Sequence, residues 1–305
     1  MAFICNRKKT RQVNVGNVPV GNMAPISVQS MTTTPTADVN ATVSQIRRLQ
    51  NAGCEIVRVA VPDQQAAEAI RAIKKEILIP VIADIHFDHR LAIAATRAGA
   101  DALRINPGNI GSANKVKAVV DRARDAGISI RIGVNSGSLE KNILEKYKGV
   151  TAEAMVESAL GHVELLNSFD FHQIKVSLKA SDVSRTVEAY RLLSVKTDLP
   201  LHVGVTEAGS LYSGIVKSAL GIGTLLAEGI GDTIRVSLTR DPVEEIRVGY
   251  EILKALGLRQ RGPEIISCPT CGRCNIDLFD IVEQVETALL SITAPVKIAI
   301  MGCVV

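Results

Sequence analysis

Eight short β-branched runs, each followed by an amphipathic stretch, limit the fold of this chain more than any other feature. The runs read ISVQS, EIVRVAV, PVIADIH, ALRINP, SIRIGVN, HQIKVSLKA, LPLHVGV and TIRVSL. Amphipathic stretches follow them, for example at 38–52, 63–76, 111–126, 151–168, 181–197 and 243–256. Strands that alternate with helices form parallel sheets with crossover helices. Eight such units in about 230 residues predict an α/β fold, the closed (β/α)8 TIM barrel.

The segments on either side of these units predict a plug and a second domain. VNVGNVPVG, which precedes residue 26, is typical of a hairpin, and we expect it to cover the barrel floor. RQRGPE, which follows Leu258, is a polar linker with Gly and Pro. We therefore expect a barrel domain at 1–258 and a small α+β domain at 265–305. The second domain is predicted to contain a cysteine loop, a helix at 277–291 and a strand at 296–303.

Composition excludes two classes of partner. The formal net charge of the 305 residues is only +4 and no long Lys/Arg block occurs, which argues against a nucleic-acid-binding surface. The amino terminus lacks the order of a signal peptide, and no apolar run approaches the length of a bilayer span. We expect a cytoplasmic protein without a membrane partner. Because thiols stay reduced in that compartment, clustered cysteines are expected to bind metal.

Polar side chains recur near the ends of nearly all the predicted strands. Active sites of parallel barrels lie at the carboxyl ends of the strands, and alternate residues of a strand share a face. The polar residues in such positions include Arg58, Asp84, Arg104, Asn106, Arg131, Asn135, Lys175, Ser177, Lys179, Thr206, Glu207, Arg235 and Ser237. Any one of these arginines can be a structural partner of a nearby acid. A whole ring of them is difficult to explain as packing, because an unpaired buried cation is costly.

The ring of cations predicts an anionic ligand. Guanidinium groups match phosphate oxygens in geometry and charge. The segment TEAGSLYSG, after the seventh run, adds glycines and hydroxyl groups at the start of a helix, where free N–H groups attract anions. We therefore expect a phosphorylated or diphosphorylated small molecule at the barrel mouth.

The cysteine run SCPTCGRCNIDL places Cys268, Cys271 and Cys274 three residues apart, and Cys303 follows later. Tetrahedral zinc sites are typically built from two pairs of ligands, whereas this chain has one run and a distant cysteine, with no histidine after His202. The run is similar to that of bacterial ferredoxins, which hold [4Fe-4S] clusters. The spacing favours an iron–sulfur cluster and leaves structural zinc as the alternative.

Nine motifs together resemble one enzyme family, the 4-hydroxy-3-methylbut-2-enyl diphosphate synthases. They are QSMTTTPT, ADIHFDHRLA, LRINPGN, RIGVNSGSL, VSLKAS, GVTEAG, IRVSLT, SCPTCGR and MGCVV, and the resemblance runs from Gln29 to Val305. It implies a barrel followed by a cluster domain, as in the compact bacterial type of the non-mevalonate isoprenoid pathway. The implied reaction is the two-electron reductive ring opening and dehydration of 2-C-methyl-D-erythritol 2,4-cyclodiphosphate. Because no flavin or nicotinamide motif is visible, flavodoxin or ferredoxin is the expected electron donor.

The resemblance also implies roles for individual residues. The cluster thiolates fall on Cys268, Cys271 and Cys303, whereas Cys274 lies where no ligand is expected. In the family, an Asn-Gly-Pro-Gly-Glu stretch after MGCVV supplies the fourth ligand, so we expect that ligand beyond Val305, in a chain truncated at its carboxyl terminus. Glu207 is the candidate catalytic group, as a proton donor or an anchor for a substrate hydroxyl. The expected substrate-binding residues are Arg104, Asn106, Arg131, Asn135, Lys179, Thr206, Arg235 and Ser237, with Arg58 added as a strand-end arginine.

Two other functions are compatible with parts of this pattern. A pterin-binding barrel transferase of the dihydropteroate synthase type shares strand-end Asp, Asn, Lys and Arg residues but needs no cluster. A barrel binding protein with a zinc-stapled tail would explain the cysteines without redox chemistry. For the redox enzyme we expect a head-to-tail homodimer. The eighth helix returns to the barrel floor, so the cluster domain of one chain would cap the barrel mouth of the other.

Overall fold

Alternating parallel strands and helices fill most of the chain in the computed structural model, which describes residues 6–289 and 292–303. Two compact units, Met1–Ile252 and Leu253–Val305, divide the chain. The strands are β1 (Val13–Val15), β2 (Val18–Val20), β3 (Ser27–Met31), β4 (Ile56–Ala60), β5 (Val81–Asp84), β6 (Ala102–Ile105), β7 (Ser129–Asn135), β8 (Ile174–Lys179), β9 (His202–Val203), β10 (Thr233–Ile234), β11 (Glu264–Ser267) and β12 (Lys297–Ile300). The α-helices are α1 (Val39–Ala52), α2 (Gln64–Glu76), α3 (His89–Arg97), α4 (Pro107–Ile110), α5 (Ala113–Asp125), α6 (Lys141–Tyr147), α7 (Ala152–Ser168), α8 (Val183–Ser194), α9 (Leu211–Ala227), α10 (Pro242–Ala255) and α11 (Leu278–Leu289).

The predicted TIM barrel is confirmed. Strands β3 to β10 form one parallel sheet in the order β8-β7-β6-β5-β4-β3-β10-β9. A parallel bridge between Val176 of β8 and Leu201, just before β9, joins the two edges, and the Val176 N–H donates to Pro200 O at 3.0 Å. Each of the eight predicted runs overlaps one of these strands. The barrel class of the fold therefore follows from the alternation in the sequence.

The last two barrel strands are shorter than the predicted runs LPLHVGV and TIRVSL, because both contain only two residues. The backbone explains why β10 ends early. Beyond it the Leu238 N–H donates to the carboxylate of Glu245 at 3.1 Å instead of to a neighbouring strand. The Arg235 N–H still donates to Val203 O at 3.0 Å, so the side chain from the helix takes over only after this last backbone contact between the two strands.

Most of the crossover helices begin at a short polar residue that accepts a hydrogen bond from the first turn. Asp38, Asp63, Asp88 and Asp182 cap α1, α2, α3 and α8 in this way, and Thr151 caps α7. These side chains satisfy N–H groups that have no partner within the helix. The caps fix where each helix starts and therefore the length of the loop that precedes it at the carboxyl end of the barrel.

The predicted hairpin plug is also confirmed. Strands β1 and β2 pair antiparallel, with Val13 opposite Val20. Val13, Val15 and Val20 pack in one buried cluster with residues that include Ile56 and Ala102, the first residues of β4 and β6. The Ser129 hydroxyl, at the start of β7, donates to Asn14 O at 2.8 Å. The hairpin therefore closes the amino end of the barrel, which leaves the carboxyl end for a ligand.

The second unit contains a two-stranded parallel sheet, β11 and β12, connected through α11. The predicted helix and strand of this unit are confirmed at Leu278–Leu289 and Lys297–Ile300, and residues 290 and 291 of the predicted helix lie outside the described residues. Strand β11 is absent from the sequence prediction. No helix in the described part of the chain has both the length and the apolar character that a membrane span requires.

Candidate functional site

A row of four charged side chains crosses the barrel interior. Asp84 of β5 pairs in register with Arg104 of β6, Arg104 with Arg131 of β7, and Arg131 with Lys175 of β8. Neighbours in one register row of a sheet point to the same face. All four are buried, with 3%, 7%, 1% and 0% of their surfaces exposed. The row therefore points into the barrel, as the alternation of polar residues in the sequence predicts.

Asp84 connects two of the predicted arginines. Its Oδ1 lies 3.2 Å from Arg104 Nη1, and its Oδ2 lies 3.4 Å from Arg58 Nε. Burial opposes ionisation of this carboxyl group, but Arg58 and Arg104 outweigh burial and lower the pKa of Asp84. A single carboxylate thus holds two guanidinium groups in fixed positions at one side of the barrel mouth.

The barrel buries more positive than negative charge. Arg131 and Lys179 have no carboxylate partner within 4.0 Å among the described residues, and Arg235 reaches Glu245 Oε1 at 3.3 Å. The Nε atoms of Arg131 and Arg235 are buried without a hydrogen-bond partner in the described structure. Burial, together with Arg58 and Arg104, lowers the pKa of Arg131. Burial, together with Arg235 and Arg131, lowers the pKa of Lys179. An anionic ligand would relieve this imbalance.

Two glycines make room for these cations. A Cβ atom at Gly133 would lie 2.5 Å from Arg104 Nε, and one at Gly204 would lie 2.8 Å from Lys179 Nζ. Arg104 also donates to Gly133 O at 3.3 Å. Real Cβ contacts are not this short, so any larger residue would displace the cation or the backbone. The small residues in RIGVN and HVGV are therefore part of the site.

The loop after β9 carries Thr206 and Glu207. Thr206 is half-buried and its N–H donates to Ala180 O at 3.2 Å. Glu207 is exposed and adopts a left-handed backbone conformation, with φ of 52°. Non-glycine residues seldom adopt this conformation, and such strain concentrates at functional sites. Glu207 therefore lies where the prediction puts it, on the loop at the carboxyl end of the barrel.

The remaining predicted residues, Asn106, Asn135 and Ser237, differ in how accessible their side chains are to a ligand. Asn106 is buried and already uses both ends of its side chain, which accepts from Gly108 N at 3.1 Å and donates to Ser138 Oγ at 3.1 Å. Asn135 ends β7, and Ser237 follows β10; both are half-buried. All three belong to the carboxyl ends of their strands. Asn106 holds the loops after β6 and β7 together, whereas Asn135 and Ser237 are accessible.

Three buried polar groups inside or beside the barrel are absent from the predicted site set. Lys175 is fully buried and donates to Ser129 Oγ at 3.1 Å, and both ring nitrogens of the fully buried His202 lack a hydrogen-bond partner in the described structure. Glu245 of α10 is 3% exposed. The strand-face pattern of the sequence already includes Lys175, which shares a face with Lys179, whereas the sequence does not mark Glu245 as buried.

The cysteine loop belongs to the second unit. Cys268 directly follows β11, and its N–H donates to Ile300 O at 3.1 Å, at the end of β12. Because β11 and β12 are parallel, Cys268 and Cys303 both follow the carboxyl end of this small sheet. Cys274 packs against Gly302, where an added Cβ would lie 2.4 Å from its Sγ. Cys274 is therefore in contact with the residue that directly precedes Cys303.

The thiols of this unit are free and are not grouped around one point. Cys268, Cys271, Cys274 and Cys303 form no disulfide. A hydrogen bond from the side chain of Arg273 lowers the pKa of the Cys271 thiol, which favours the thiolate. Within residues 6–289 and 292–303, no three His, Cys, Asp or Glu side chains are arranged to hold a metal ion.

A TIM barrel that buries excess positive charge beside its carboxyl end, followed by a unit of free cysteines, defines the general class: a barrel enzyme with an electropositive site. The chain belongs to the GcpE family. The GcpE TIM-barrel domain matches residues 10–250, and the GcpE protein C-terminal domain matches residues 264–305.

Sequence relatives share one name. A protein from Geobacter sulfurreducens, named 4-hydroxy-3-methylbut-2-en-1-yl diphosphate synthase (flavodoxin), is 62% identical over 299 residues, which cover 98% of this chain and 85% of that protein. A protein of the same name from Geobacillus thermodenitrificans is 57% identical over 305 residues, which cover 100% of this chain and 82% of that protein. These relatives confirm the family resemblance predicted from the motifs.

Solved structures show the same fold in other families. Dihydropteroate synthase from Yersinia pestis matches with a TM-score of 0.55 at 11% identity, over 81% of this chain and 98% of that one. Type I 3-dehydroquinate dehydratase from Clostridium difficile matches with a TM-score of 0.57 at 13% identity, over the same shares of both chains. These likenesses show the fold alone. The pterin-binding alternative is not favoured, because the sequence relatives place the chain in the GcpE family.

Gly133→Ala is expected to weaken anion binding without unfolding the barrel, because the new Cβ would push the flexible end of Arg104 away from its position. The dissociation constant of pyrophosphate, measured by calorimetry, should rise roughly three- to tenfold, the effect of one weakened hydrogen bond. Gly137→Ala is the matched control, because nothing lies within 4 Å of a Cβ at that position. An unchanged affinity in the Gly133 variant would show that Arg104 does not contact the anion.

Lys175→Met is expected to stabilise the protein in a pH-dependent way. Burial, followed by the charge of Arg131, lowers the pKa of Lys175 from 10.5 to about 7. Between these pH values the unfolded state holds a proton that the folded state lacks, so wild-type stability rises with pH relative to the variant. The variant should therefore be more stable at pH 6, by at most about 5 kcal/mol. This advantage should shrink towards pH 10.

Urea unfolding of both proteins at pH 6, 8 and 10 measures this difference. Lys115→Met, at an exposed position, is the control and should show no such trend. Equal stability of wild type and the Lys175 variant at every pH would mean that Lys175 is not buried with a depressed pKa.

Proposed function

We propose that this chain is an oxidoreductase that converts 2-C-methyl-D-erythritol 2,4-cyclodiphosphate to 4-hydroxy-3-methylbut-2-enyl diphosphate by reductive ring opening and loss of water. The activity is the one for which its relatives are named, and the relative from Geobacter sulfurreducens is aligned with 98% of the chain. The observation that supports the substrate most directly is the excess of buried cations in the barrel. A cyclic diphosphate carries compact negative charge, which would balance the positive charge of these cations.

The cationic side chains act on the diphosphate as a leaving group. Ring opening separates a diphosphate oxygen from carbon, and negative charge develops on that oxygen. Cations that are already fixed in a water-poor site stabilise such charge with little reorganisation. Arg131 and Arg235 each have a buried Nε without a partner in the described structure. We assign substrate binding to Arg58, Arg104, Asn106, Arg131, Asn135, Lys179, Thr206, Arg235 and Ser237.

Glu207 is the candidate catalytic residue. It is exposed at the carboxyl end of the barrel and held in a left-handed conformation next to Thr206. A carboxyl group in this position can donate a proton to a departing hydroxyl or hold that hydroxyl in place. The strained backbone supports this assignment, because strained backbone conformations concentrate at functional sites.

We assign a [4Fe-4S] cluster to the second unit, with Cys268, Cys271 and Cys303 as its ligands. The donor set of free thiols without a nearby histidine suits iron–sulfur chemistry. When bound, the cluster supplies electrons one at a time. Cys274 is not assigned as a ligand, since it packs against Gly302. The functional domains are then 1–258, which binds the substrate, and 265–305, which holds the cluster.

Electrons come from a separate carrier protein, and two chains form the working enzyme. The relatives carry flavodoxin in their name, which supports flavodoxin as the donor, with ferredoxin as the other carrier of this kind. Crossover helices of a barrel return to the amino end of the strands, so α10 leads the chain away from the cationic side chains. We propose a homodimer in which the cluster of each chain serves the barrel of the other chain. We place the enzyme in the cytoplasm, where thiols stay reduced.

Replacing the cysteines one at a time tests the ligand assignment. Cys271→Ala or Cys303→Ala should abolish the cluster, because each removes a thiolate that iron requires. Cys274→Ala should largely keep it. Iron, zinc and sulfide analysis after anaerobic purification, with absorbance near 400 nm, measures the outcome. Stoichiometric zinc without iron would instead support the zinc-stapled alternative, and iron loss confined to the Cys274 variant would reverse the assignment.

Co-expression of Arg131→Ala and Cys271→Ala chains tests the shared site. Arg131→Ala alone should weaken cyclodiphosphate binding by about 1.5–3 kcal/mol, the effect of a lost charge-assisted hydrogen bond. At substrate concentrations near the wild-type KM, the Arg131→Ala homodimer should have little activity and the Cys271→Ala homodimer none, but the mixed dimer joins one intact barrel to one intact cluster and should recover activity. An inactive heterodimer, verified by mass, would show that each chain uses its own cluster.

A further inference from the structure

Glu245 is a buried carboxylate that connects three segments beside the barrel. It lies on α10 and is 3% exposed. Its Oε2 accepts from Ser30 Oγ of β3 at 2.8 Å. Its Oε1 accepts from the Leu238 N–H at 3.1 Å and from Arg235 Nη2 at 3.3 Å. One carboxylate therefore holds a strand, the segment after β10 and an arginine in a fixed arrangement.

The two Oε1 contacts lie on either side of Ser237. Strand β10 ends at Ile234, so the ladder no longer fixes the backbone from Arg235 to Leu238, apart from the Arg235 N–H that donates to Val203 O at 3.0 Å. The contact with Leu238 N fixes the far end of this segment. Glu245 thus accepts a backbone hydrogen bond beyond the end of the strand ladder.

Glu245 also orients the guanidinium group of Arg235. Nη2 is bound to Glu245, whereas Nε is buried and has no hydrogen-bond partner among the described residues. A guanidinium group is planar, so one bound nitrogen restricts the direction of the others. A buried carboxylate is costly unless hydrogen bonds satisfy it, and Glu245 receives three. We therefore expect Glu245 to hold the guanidinium group of Arg235 in a fixed orientation.

We propose that Glu245 is a positioning residue for substrate binding, which acts through Arg235 and the Leu238 N–H to hold Arg235 and Ser237 against the diphosphate of the substrate. This inference rests on the proposed function, because it takes Arg235 and Ser237 as diphosphate ligands. Glu245 itself does not contact the substrate. Its removal should therefore affect binding less when Arg235 is absent, because only the contact with the Leu238 N–H is then lost.

Four variants test the positioning role. Glu245→Ala should raise the dissociation constant and the KM of the cyclodiphosphate roughly tenfold or more, with a smaller change in kcat, because a charge-assisted contact loses its geometry. Glu245→Gln keeps an oxygen for Leu238 N and Arg235 and should stay within about threefold of wild type. Glu245→Asp keeps the charge on a side chain that is one methylene shorter. Its effect on the dissociation constant should therefore resemble that of Glu245→Ala. Glu244→Gln is the control, since Glu244 is the adjacent helix residue and pairs with Arg247 at 2.6 Å.

A double-mutant cycle with Arg235→Met separates positioning from a general effect on folding. In the Arg235→Met background, Glu245→Ala should add less than about threefold to the dissociation constant, because only the contact with the Leu238 N–H is left to lose. Thermal unfolding midpoints are measured for every variant. If Glu245→Ala does not fold, the difference between Glu245→Gln and Glu245→Asp carries the test.

The outcomes distinguish this inference from the function on which it rests. If Arg235→Met itself leaves binding unchanged, the assignment of Arg235 fails, and the role of Glu245 fails with it. If Arg235→Met weakens binding but Glu245→Ala has the same effect in both backgrounds, only the positioning role is overturned. Loss of binding in Glu245→Gln equal to that in Glu245→Asp would also overturn it.

Discussion

Repulsion among buried cations is the constraint on which the rest of this structure depends. Arg58, Arg104, Arg131, Lys179 and Arg235 share one barrel, and only two buried carboxylates pair with members of this set in the described residues. Such an arrangement opposes folding, because both desolvation and like charge disfavour it. Asp84 and Glu245 hold three of these groups through ion pairs, and Gly133 and Gly204 leave room for Arg104 and Lys179. The protein holds unfavourable electrostatics that a diphosphate can relieve.

The sequence predicts the barrel well because its signals are local. β-branched runs, capping aspartates and inward-facing polar residues such as Arg104 and Arg131 can be recognised within a few residues. The partners of those residues cannot, because they arise from elements distant in sequence. Glu245 lies within an amphipathic helix, and only the fold brings it to Arg235. Asn106 fits a ligand-binding motif, yet its side chain is bound to Gly108 and Ser138. The early end of β10 is also not predicted, because it depends on contacts with elements that are distant in sequence.

The cysteine unit shows the limit of spacing arguments. Three cysteines at equal intervals are equivalent in sequence, but the described structure distinguishes them. Cys268 is tied to the end of β12 through Ile300, whereas Cys274 packs against Gly302. The spacing therefore favours one kind of metal chemistry, and the packing distinguishes the individual thiols. Strand β11 was missed because four residues without alternating burial give little signal.

The barrel wall is not uniform around its circumference. Strands β7 and β8 pair through six residues, whereas β9 and β10 pair through two, and one bridge joins β8 to the β9 side. Fewer ladder hydrogen bonds make a local opening less costly in free energy. Arg235 follows β10, on the side with two-residue pairing, whereas Arg131 and Lys179 belong to the six-residue ladder of β7 and β8. Local opening of the barrel therefore costs less free energy beside Arg235 than beside Arg131 and Lys179.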